Sequence, residues 1–265
     1  MGEFFNAVFI NPIINMLLVV YQALYFLHIP YALGFSIIGL TIVIRFIIYP
    51  FTTAQLKASS KMQSLSPLLS RLKEKYKGDS ARIQQETLKL YKEHGVNPAA
   101  GCLPVLIQMP IIWALYSVLS HIVSLKPNLV VSEINKIVYF DFLKLDKPWD
   151  PTFFGLSLGD MPSGLMSSIG PLILLVPVLT GVLQFIYSKM MIPAKTGVAI
   201  LEKDIQKKGN VDKKDASDFA SAFQTQAMYI FPAMIGFFSF SFPIGLSLYW
   251  NTFTLFGIIQ QYKVV

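Results

Sequence analysis

The chain has 265 residues, of which 54% are hydrophobic and only 14% are charged. Soluble domains are typically about a quarter charged, so this composition excludes a soluble globular protein. The formal net charge of +7 would suit a nucleic-acid partner, but the Lys and Arg residues lie in the links between apolar stretches, a pattern typical of membrane proteins. The single cysteine, Cys102, excludes an intrachain disulfide and any multi-cysteine metal cage.

The N-terminal segment 1–30 is predicted to lie outside the cell at the membrane interface. Residues 4–27 are nearly uncharged, and Asn11, Asn15 and Gln22 recur at helical spacing. This pattern predicts an amphipathic helix that lies in the plane of the interface. A sixth transmembrane span is the alternative interpretation.

Five later segments are each long and apolar enough to cross the bilayer, which takes about 20 mainly apolar residues. The sequence therefore predicts an all-α integral membrane protein. The predicted spans are residues 31–51, 98–123, 164–191, 223–242 and, with the C-terminus, 243–265. The last two are joined so tightly that they must form a hairpin. Prolines within the spans are expected to kink them.

Three links accompany these spans, and their basic residues predict the orientation. Nine Lys and Arg residues lie in 52–97, four in 124–163 and seven in 189–218. Because the more basic links stay on the cytoplasmic side, links 52–97 and 192–222 are predicted to be cytoplasmic and 124–163 extracellular. The N-terminus is then outside and the C-terminus inside.

Link 52–97 is predicted to form a cytoplasmic helical hairpin. Two apolar stripes, separated by Gly78-Asp79, are typical of antiparallel helices with a coiled-coil-like seam. The stripes are Leu65, Leu69, Leu72 and Tyr76 in the first arm and Ile83, Leu90 and Tyr91 in the second. Link 192–222 has charges of both signs and little periodicity, which predicts a flexible loop.

Arg45 is the only charged residue well inside a predicted span, because Lys189 and Lys263 lie within three residues of the ends of theirs. It lies roughly 9 Å from the cytoplasmic end of its span at 1.5 Å per residue, where a guanidinium costs about 3 kcal/mol on insertion scales. A side chain that snorkels to the interface would offset that cost. Polar residues in the spans favour a water-filled pocket, although an interhelical hydrogen bond worth about 0.6 kcal/mol explains each one singly. They are Thr41, Gln108, Ser117, Gln184, Ser247, Asn251 and Thr254.

No acidic residue lies in any predicted span, which separates the chain from proton pumps and cation transporters with intramembrane carboxylates. Because guanidinium forks onto carboxylates so well, Arg45 is predicted to bind an anion, such as an acidic side chain of a passing polypeptide. His28, His94 and His121 have no metal-ligand spacing, and no hydrolase or metalloprotease signature is present. We therefore expect no cofactor, no metal and no enzymatic activity.

A set of motifs carries a specific resemblance. They are Thr41-x-x-x-Arg45 with Tyr49-Pro50 and Gln55, Tyr91-Lys92 to Asn97-Pro98, Gly101-Cys102-x-Pro104, Gln108-Met109-Pro110-Ile111, and Phe242-Pro243-x-Gly245-x-x-Leu248-Tyr249-Trp250 to Gln260-Gln261. These motifs closely resemble the YidC family of membrane protein insertases over about residues 31–262. Without the large periplasmic domain of Gram-negative members, the chain resembles the shorter Gram-positive form, which is commonly made as a lipoprotein.

The resemblance implies five membrane helices around a hydrophilic groove that opens to the cytoplasm and to lipid. It implies that Arg45 and Thr41 lie in the groove and that Tyr249 and Trp250 face a substrate helix. Helical phase alone assigns three further groove residues, Gln108, Gln184 and Asn251.

The implied function is insertion of other proteins into the bacterial cell membrane, with a chaperone role in their folding or assembly. Acidic or hydrophilic tails would enter the groove while apolar segments pass into lipid. The expected partners are nascent membrane proteins, the lipid bilayer, and the Sec translocon, ribosome or signal recognition machinery. We expect a monomer that recognises no nucleic-acid sequence. The alternative is a small organic-anion transporter or channel, against which stands the lack of an internal repeat.

Overall fold

The structure is a computed structural model that describes residues 3–95, 103–122, 127–191 and 226–264. The predicted loop 192–222 and Cys102 therefore lie outside the described residues. So do the first residues of the predicted spans that begin at 98 and 223.

The described part of the chain is mostly helical. Its first half contains α1 (Glu3–Phe26) with a π-helical turn at Asn6–Ile10, α2 (Ala32–Ser64), α3 (Ser66–Lys75), α4 (Ser80–Glu93), and α5 (Leu103–Ser117) with a π-helical continuation, Val118–Ile122. Its second half contains α6 (Pro127–Asn135), a 3-10 turn (Asp141–Leu143), β1 (Thr152–Phe153), β2 (Leu156–Ser157), α7 (Pro162–Ile169), a 3-10 turn (Gly170–Leu174), α8 (Leu175–Met191), a π-helical turn (Gln226–Ile230), α9 (Phe231–Ser241) and α10 (Ile244–Val264). Strands β1 and β2 pair antiparallel.

Three helical stretches are long and apolar enough to cross a membrane: Glu3–Phe26, Ala32–Met62 and Pro162–Met191. The second and third cover the first and third predicted spans. Helices α5, α9 and α10 cover the described parts of the other three predicted spans. The chain is therefore a mostly helical membrane protein, while the count of five spans and the groove stay predictions.

The chain divides into two compact units. Unit 1 comprises Met1–Ile48, Pro104–Leu183 and Ile235–Phe256, and unit 2 comprises Tyr49–Leu103, Gln184–Met234 and Gly257–Val265. Helices α2, α5, α8, α9 and α10 contribute residues to both units, α5 only its first residue to unit 2.

The core of unit 1 is built from apolar faces of α1, α2 and α5. Its fully buried members include Ile14, Leu17, Leu18, Leu33, Ile37, Leu40, Leu115 and Leu119. Two glycines of α2 let neighbouring elements approach this helix closely. A Cβ added to Gly39 would lie 2.8 Å from Cγ1 of Val20 in α1. A Cβ added to Gly34 would lie only 2.0 Å from Cδ2 of Phe153 in β1. Helices α1 and α2 and the β-hairpin thus depend on these glycines to pack.

Helix α1 differs from the predicted amphipathic helix because its polar residue Asn15 is buried and bonds to protein backbone. Asn15 is only 5% exposed, and its Nδ2 donates to the Ile137 carbonyl at 2.9 Å while its Oδ1 accepts from the Tyr139 amide at 2.7 Å. The amide is thus satisfied by protein backbone instead of water. The exposed side chains of α1 are instead largely apolar, among them Phe4, Val8, Val19 and Phe26.

The third predicted span is interrupted rather than continuous. Gly170 has a positive φ of 75°, and the 3-10 turn Gly170–Leu174 separates α7 from α8. Pro171 lies at the start of this turn, where its missing N–H costs no helical hydrogen bond. The expected proline kink is therefore a break between two helices.

In unit 2, α3 and α4 are joined by a tight turn that contains Gly78, with φ of 94°. The Asp79 side chain caps α4 by accepting from the Arg82 amide at 3.0 Å. Lys75 and Arg82 lie over the Tyr76 ring, at 5.2 and 5.0 Å from its centroid. Residues 52–64, predicted as part of the hairpin, instead continue α2.

The end of α10 is held within unit 2 by glutamine amides. The Gln260 Nε2 lies 2.7 Å from the Thr52 hydroxyl and 3.0 Å from that of Thr53. The Gln261 Nε2 donates to the Met190 carbonyl at 2.5 Å. These contacts give the Gln260-Gln261 motif a packing role.

Candidate functional site

Arg45 lies inside unit 1 with 1% of its surface exposed. Its Nη2 donates to the backbone carbonyl of Phe253 in α10. The guanidinium carbon also lies 3.4 Å from the centroid of the Phe253 ring and 5.7 Å from that of Phe256. The predicted intramembrane arginine is therefore buried against aromatic residues of the last helix.

These contacts offset much of the cost of burying the charge. A desolvated cation–π contact contributes about 2 kcal/mol, and a hydrogen bond to a charged group about 1.5–3 kcal/mol. Together they are comparable to the insertion cost of about 3 kcal/mol. Carbonyl and ring faces are neutral, so they stabilise the guanidinium without cancelling its charge. Snorkelling to the interface is not needed to explain this arginine.

Tyr249 and Gln108 extend the same cluster. Tyr249 is completely buried, and its hydroxyl accepts a hydrogen bond of 2.6 Å from the Gln108 Nε2. The Tyr249 ring lies 5.8 Å from the Phe253 ring, centroid to centroid. Gln108, Tyr249, Phe253, Phe256 and Arg45 thus form one connected group, here named the Arg45 cluster.

Two predicted groove residues, Thr41 and Asn251, lie near members of this cluster in the sequence. Thr41 is fully buried one turn before Arg45, and its hydroxyl donates to the Ile37 carbonyl of its own helix at 2.6 Å. Asn251 is half-buried. Its Oδ1 is buried without a hydrogen-bond partner among the described residues, so this oxygen remains available to accept one.

Trp250 lines a small, mainly apolar cavity of about 20 Å³. The rest of its lining is formed by Ile235, Phe238, Phe242 and Leu246 and by the hydroxyl-bearing residues Thr180, Ser239 and Ser247. The Ser239 and Ser247 hydroxyls are hydrogen-bonded at 2.7 Å. That Tyr249 and Trp250 face a substrate helix stays a prediction; Trp250 is half-buried, and Tyr249 is held inside the Arg45 cluster.

Gln184 belongs to unit 2, where it is 6% exposed. Its assignment to the same groove as Arg45 stays a prediction. Among the described residues, no group of three or more His, Cys, Asp or Glu side chains could hold a metal ion.

Sequence reasoning missed the aromatic partners of Arg45. Phe253 and Phe256 follow Tyr249 at positions i+4 and i+7, which places all three on one face of α10. This aromatic stripe was a detectable signal. From the sequence alone, this aromatic stripe cannot be distinguished from the ordinary lipid-facing side of a membrane helix.

Comparison with known proteins identifies the family. The family model for the 60Kd inner membrane protein matches residues 24–265. The chain belongs to this family. The membrane protein insertase YidC of Fusobacterium nucleatum is 33% identical over 232 residues, which cover 88% of this chain and 85% of that protein. The predicted resemblance to the YidC family is thereby confirmed.

Other members of the family are longer. The YidC of Rickettsia prowazekii is 30% identical over 235 residues, which cover 87% of this chain but 35% of that protein. The chloroplastic inner membrane protein ALBINO3 of Arabidopsis thaliana is 32% identical over 248 residues, which cover 88% of this chain and 46% of that protein. The chain thus spans about a third to a half of the length of these two relatives.

Proposed function

We propose that this protein is a membrane protein insertase that also assists the folding and assembly of the proteins it inserts. Two observations support this function. Relatives in bacteria carry the name membrane protein insertase YidC, and unit 1 holds a buried cation, Arg45, hydrogen-bonded to the Phe253 carbonyl and packed on the rings of Phe253 and Phe256. The second observation carries the mechanism, because a buried positive charge attracts an acidic polypeptide tail.

The aromatic contact of Arg45 is compatible with binding of such a tail. The aromatic contact at 3.4 Å lies over the face of the guanidinium, whereas carboxylates bind in its plane, at the N–H edge. A carboxylate and the Phe253 ring can therefore contact the same guanidinium. Since Arg45 is only 1% exposed, its neighbours must separate before a substrate reaches it.

In the proposed cycle, a short hydrophilic tail enters a cytoplasm-open groove that also includes Thr41, Gln108 and Asn251. The apolar segment of the substrate passes directly into lipid along the side that includes Trp250. The membrane potential pulls a negatively charged tail outward with about 2.3 kcal/mol per charge per 100 mV. No covalent bond is made or broken in this cycle.

The proposed partners follow from the same cycle. They are nascent membrane proteins and the lipid bilayer, with the Sec translocon, ribosome or signal recognition machinery as suppliers of substrate. We place the protein in the bacterial cell membrane as a monomer, with its N-terminus outside and its C-terminus in the cytoplasm. The more basic links then lie in the cytoplasm.

A charge-swap experiment tests the proposal. Purified protein in liposomes is given a single-span substrate with either an acidic or a basic tail, and insertion is measured by protease protection. Arg45→Lys should retain insertion of the acidic substrate. Arg45→Glu should lower it at least about tenfold, equivalent to about 1.4 kcal/mol, and should favour the basic tail. Lys57→Glu, at an exposed position, is the control with the same change in net charge.

Normal insertion of the acidic substrate by Arg45→Glu would refute the electrostatic mechanism. Failure of the unsubstituted protein to insert either substrate, together with uptake of an organic anion into the same liposomes, would instead establish the transporter function. Circular dichroism of each variant shows whether a loss of activity comes from unfolding.

A further inference from the structure

The loop after α6 carries three exposed aromatic side chains. Tyr139, Phe140 and Phe142 are 53%, 58% and 71% exposed. The Phe140 and Phe142 rings are stacked, with centroids 5.5 Å apart and planes 20° apart. Apolar rings held together outside the core in this way mark an interaction surface. Residues 139–145 are here named the aromatic turn.

The backbone of the aromatic turn is fixed at both ends by asparagine amides. At its start, Asn15 bonds both the Ile137 carbonyl and the Tyr139 amide. At its end, the Asn135 Nδ2 donates to the Leu145 carbonyl at 3.0 Å and its Oδ1 accepts from the Leu145 amide at 2.8 Å. Each side chain therefore satisfies one donor and one acceptor, as a neighbouring strand would.

Buried leucines fix the orientation of the turn. Leu143 and Leu145 are 1% and 4% exposed and belong to the core of unit 1. With these side chains directed inward, Phe142 is directed outward. The rings are thus displayed by a pinned backbone, and they do not collapse onto the protein.

Charged side chains flank the rings. Lys136 pairs with Glu133, and Lys144 pairs with Asp141, both at 2.6 Å. The hydrogen bond and charge of Lys144 lower the pKa of the Asp141 carboxyl from its usual value. Exposed ion pairs and an irregular backbone are not found in hydrocarbon, so this turn lies outside the hydrocarbon core.

We propose that the aromatic turn anchors unit 1 in the bilayer, with Phe140 and Phe142 inserted at the boundary between lipid headgroups and acyl chains. Aromatic residues are enriched at this level in membrane proteins, where rings meet the apolar side and polar groups stay hydrated. The partner is lipid because the chain is embedded in a membrane and rings and ion pairs occur together on one short turn. The anchor operates whether or not the protein is an insertase.

The anchor also fixes the position of α1. The Asn15 pairing joins the middle of this helix to the turn, and the Gln22 Nε2 donates to the Lys144 carbonyl at 3.2 Å. A helix whose residues 15 to 22 run beside a headgroup-level loop lies along the interface. A spanning helix would have only its ends there. The anchor therefore supports the interfacial position predicted for segment 1–30.

Depth measurement by spin labelling tests the anchor. The full chain carries Cys102→Ser and Phe142→Cys, is labelled with a nitroxide, and is placed in lipid nanodiscs with one copy per disc. Collision of the label with oxygen, which concentrates in lipid, is compared with collision with a water-soluble nickel chelate. Asp146→Cys, at an exposed position four residues later, is the matched control.

The label at 142 should collide more with oxygen, and the label at 146 more with nickel. Adding Phe140→Ser should shift the label at 142 towards nickel, because the remaining ring of the Phe140–Phe142 pair is then lost as well. Greater nickel collision at 142 in the starting protein would overturn the anchor. Low collision with both reagents would also overturn it, because the turn would then be covered by protein.

Discussion

The hydrogen bond between Gln108 and Tyr249 allows a quantitative prediction about the Arg45 cluster. Gln108→Met removes the donor but keeps the length of the side chain. The Tyr249 hydroxyl is completely buried, so water cannot replace the lost partner. Tyr249→Phe removes the hydroxyl and leaves the Gln108 amide without this acceptor.

The magnitude follows from burial. Interhelical hydrogen bonds in membranes contribute about 0.6 kcal/mol on average and up to about 1.7 kcal/mol, whereas a buried group left without a partner costs about 1–3 kcal/mol. The complete burial of Tyr249 favours the upper range, about 1–2 kcal/mol for Gln108→Met. Gln108 is half-buried, so Tyr249→Phe should cost less. The double variant should lose less free energy of unfolding than the sum of the two, because neither polar group remains.

The measurement is a double-mutant cycle in detergent micelles. Unfolding by guanidinium is followed by the fluorescence of the three tryptophans, and the coupling energy is the departure from additivity. We expect coupling of about 1 kcal/mol, within the range for membrane hydrogen bonds. Strict additivity of the two substitutions would refute the reasoning, and so would a double variant less stable than the sum of the single ones.

Two further predictions concern a tight contact and the helical hairpin. Gly34→Ala should destabilise the protein by about 1–3 kcal/mol through overpacking, because the new Cβ would lie 2.0 Å from the Phe153 ring; the same fluorescence assay checks this. Phe153→Ala should relieve the clash, and Gly164→Ala, where nothing lies within 4 Å, is the matched control that should stay near the starting stability. Replacing Leu65 to Leu90 by a short Gly-Ser linker should keep the helical content of the membrane domain by circular dichroism and abolish insertion into liposomes. Retained insertion would show that the hairpin is not the receiving element.

The sequence predicted Arg45 because a charge in an apolar run is conspicuous. It could not predict how the charge is stabilised, since Phe253 and Phe256 are as apolar as the lipid-facing residues around them. The relation of Gln108 to Tyr249 was also hidden, because the two are 141 positions apart. Helical phase predicts that Gln108 faces the groove, but it does not predict the contact between Gln108 and Tyr249, which only the fold brings together.

In the N-terminal helix, the sequence does not predict the hydrogen-bond partners of Asn15. Asn15 was interpreted as part of a water-facing stripe because its spacing with Asn11 and Gln22 fits a helix. The structure uses the same amide to bind the backbone at Ile137 and Tyr139. A polar residue on a helix face indicates that a partner is needed, and sequence periodicity does not distinguish water from a distant loop. The break at Gly170 is a different case, because a proline within the span, here Pro171, is expected from the sequence to kink the helix.

The two hydrogen bonds of Asn15 also bear on the order of events during synthesis. Their partners lie 122 and 124 positions later in the chain, so the ribosome must make more than half of the protein before the Asn15 amide meets its backbone partners. Until then α1 lacks these two hydrogen bonds. Contacts between residues so far apart in the sequence form slowly in folding. In the predicted orientation, residues 137–139 must also cross the bilayer first. The N-terminal helix, first to be synthesised, therefore completes its native contacts only after the next two predicted spans have been made.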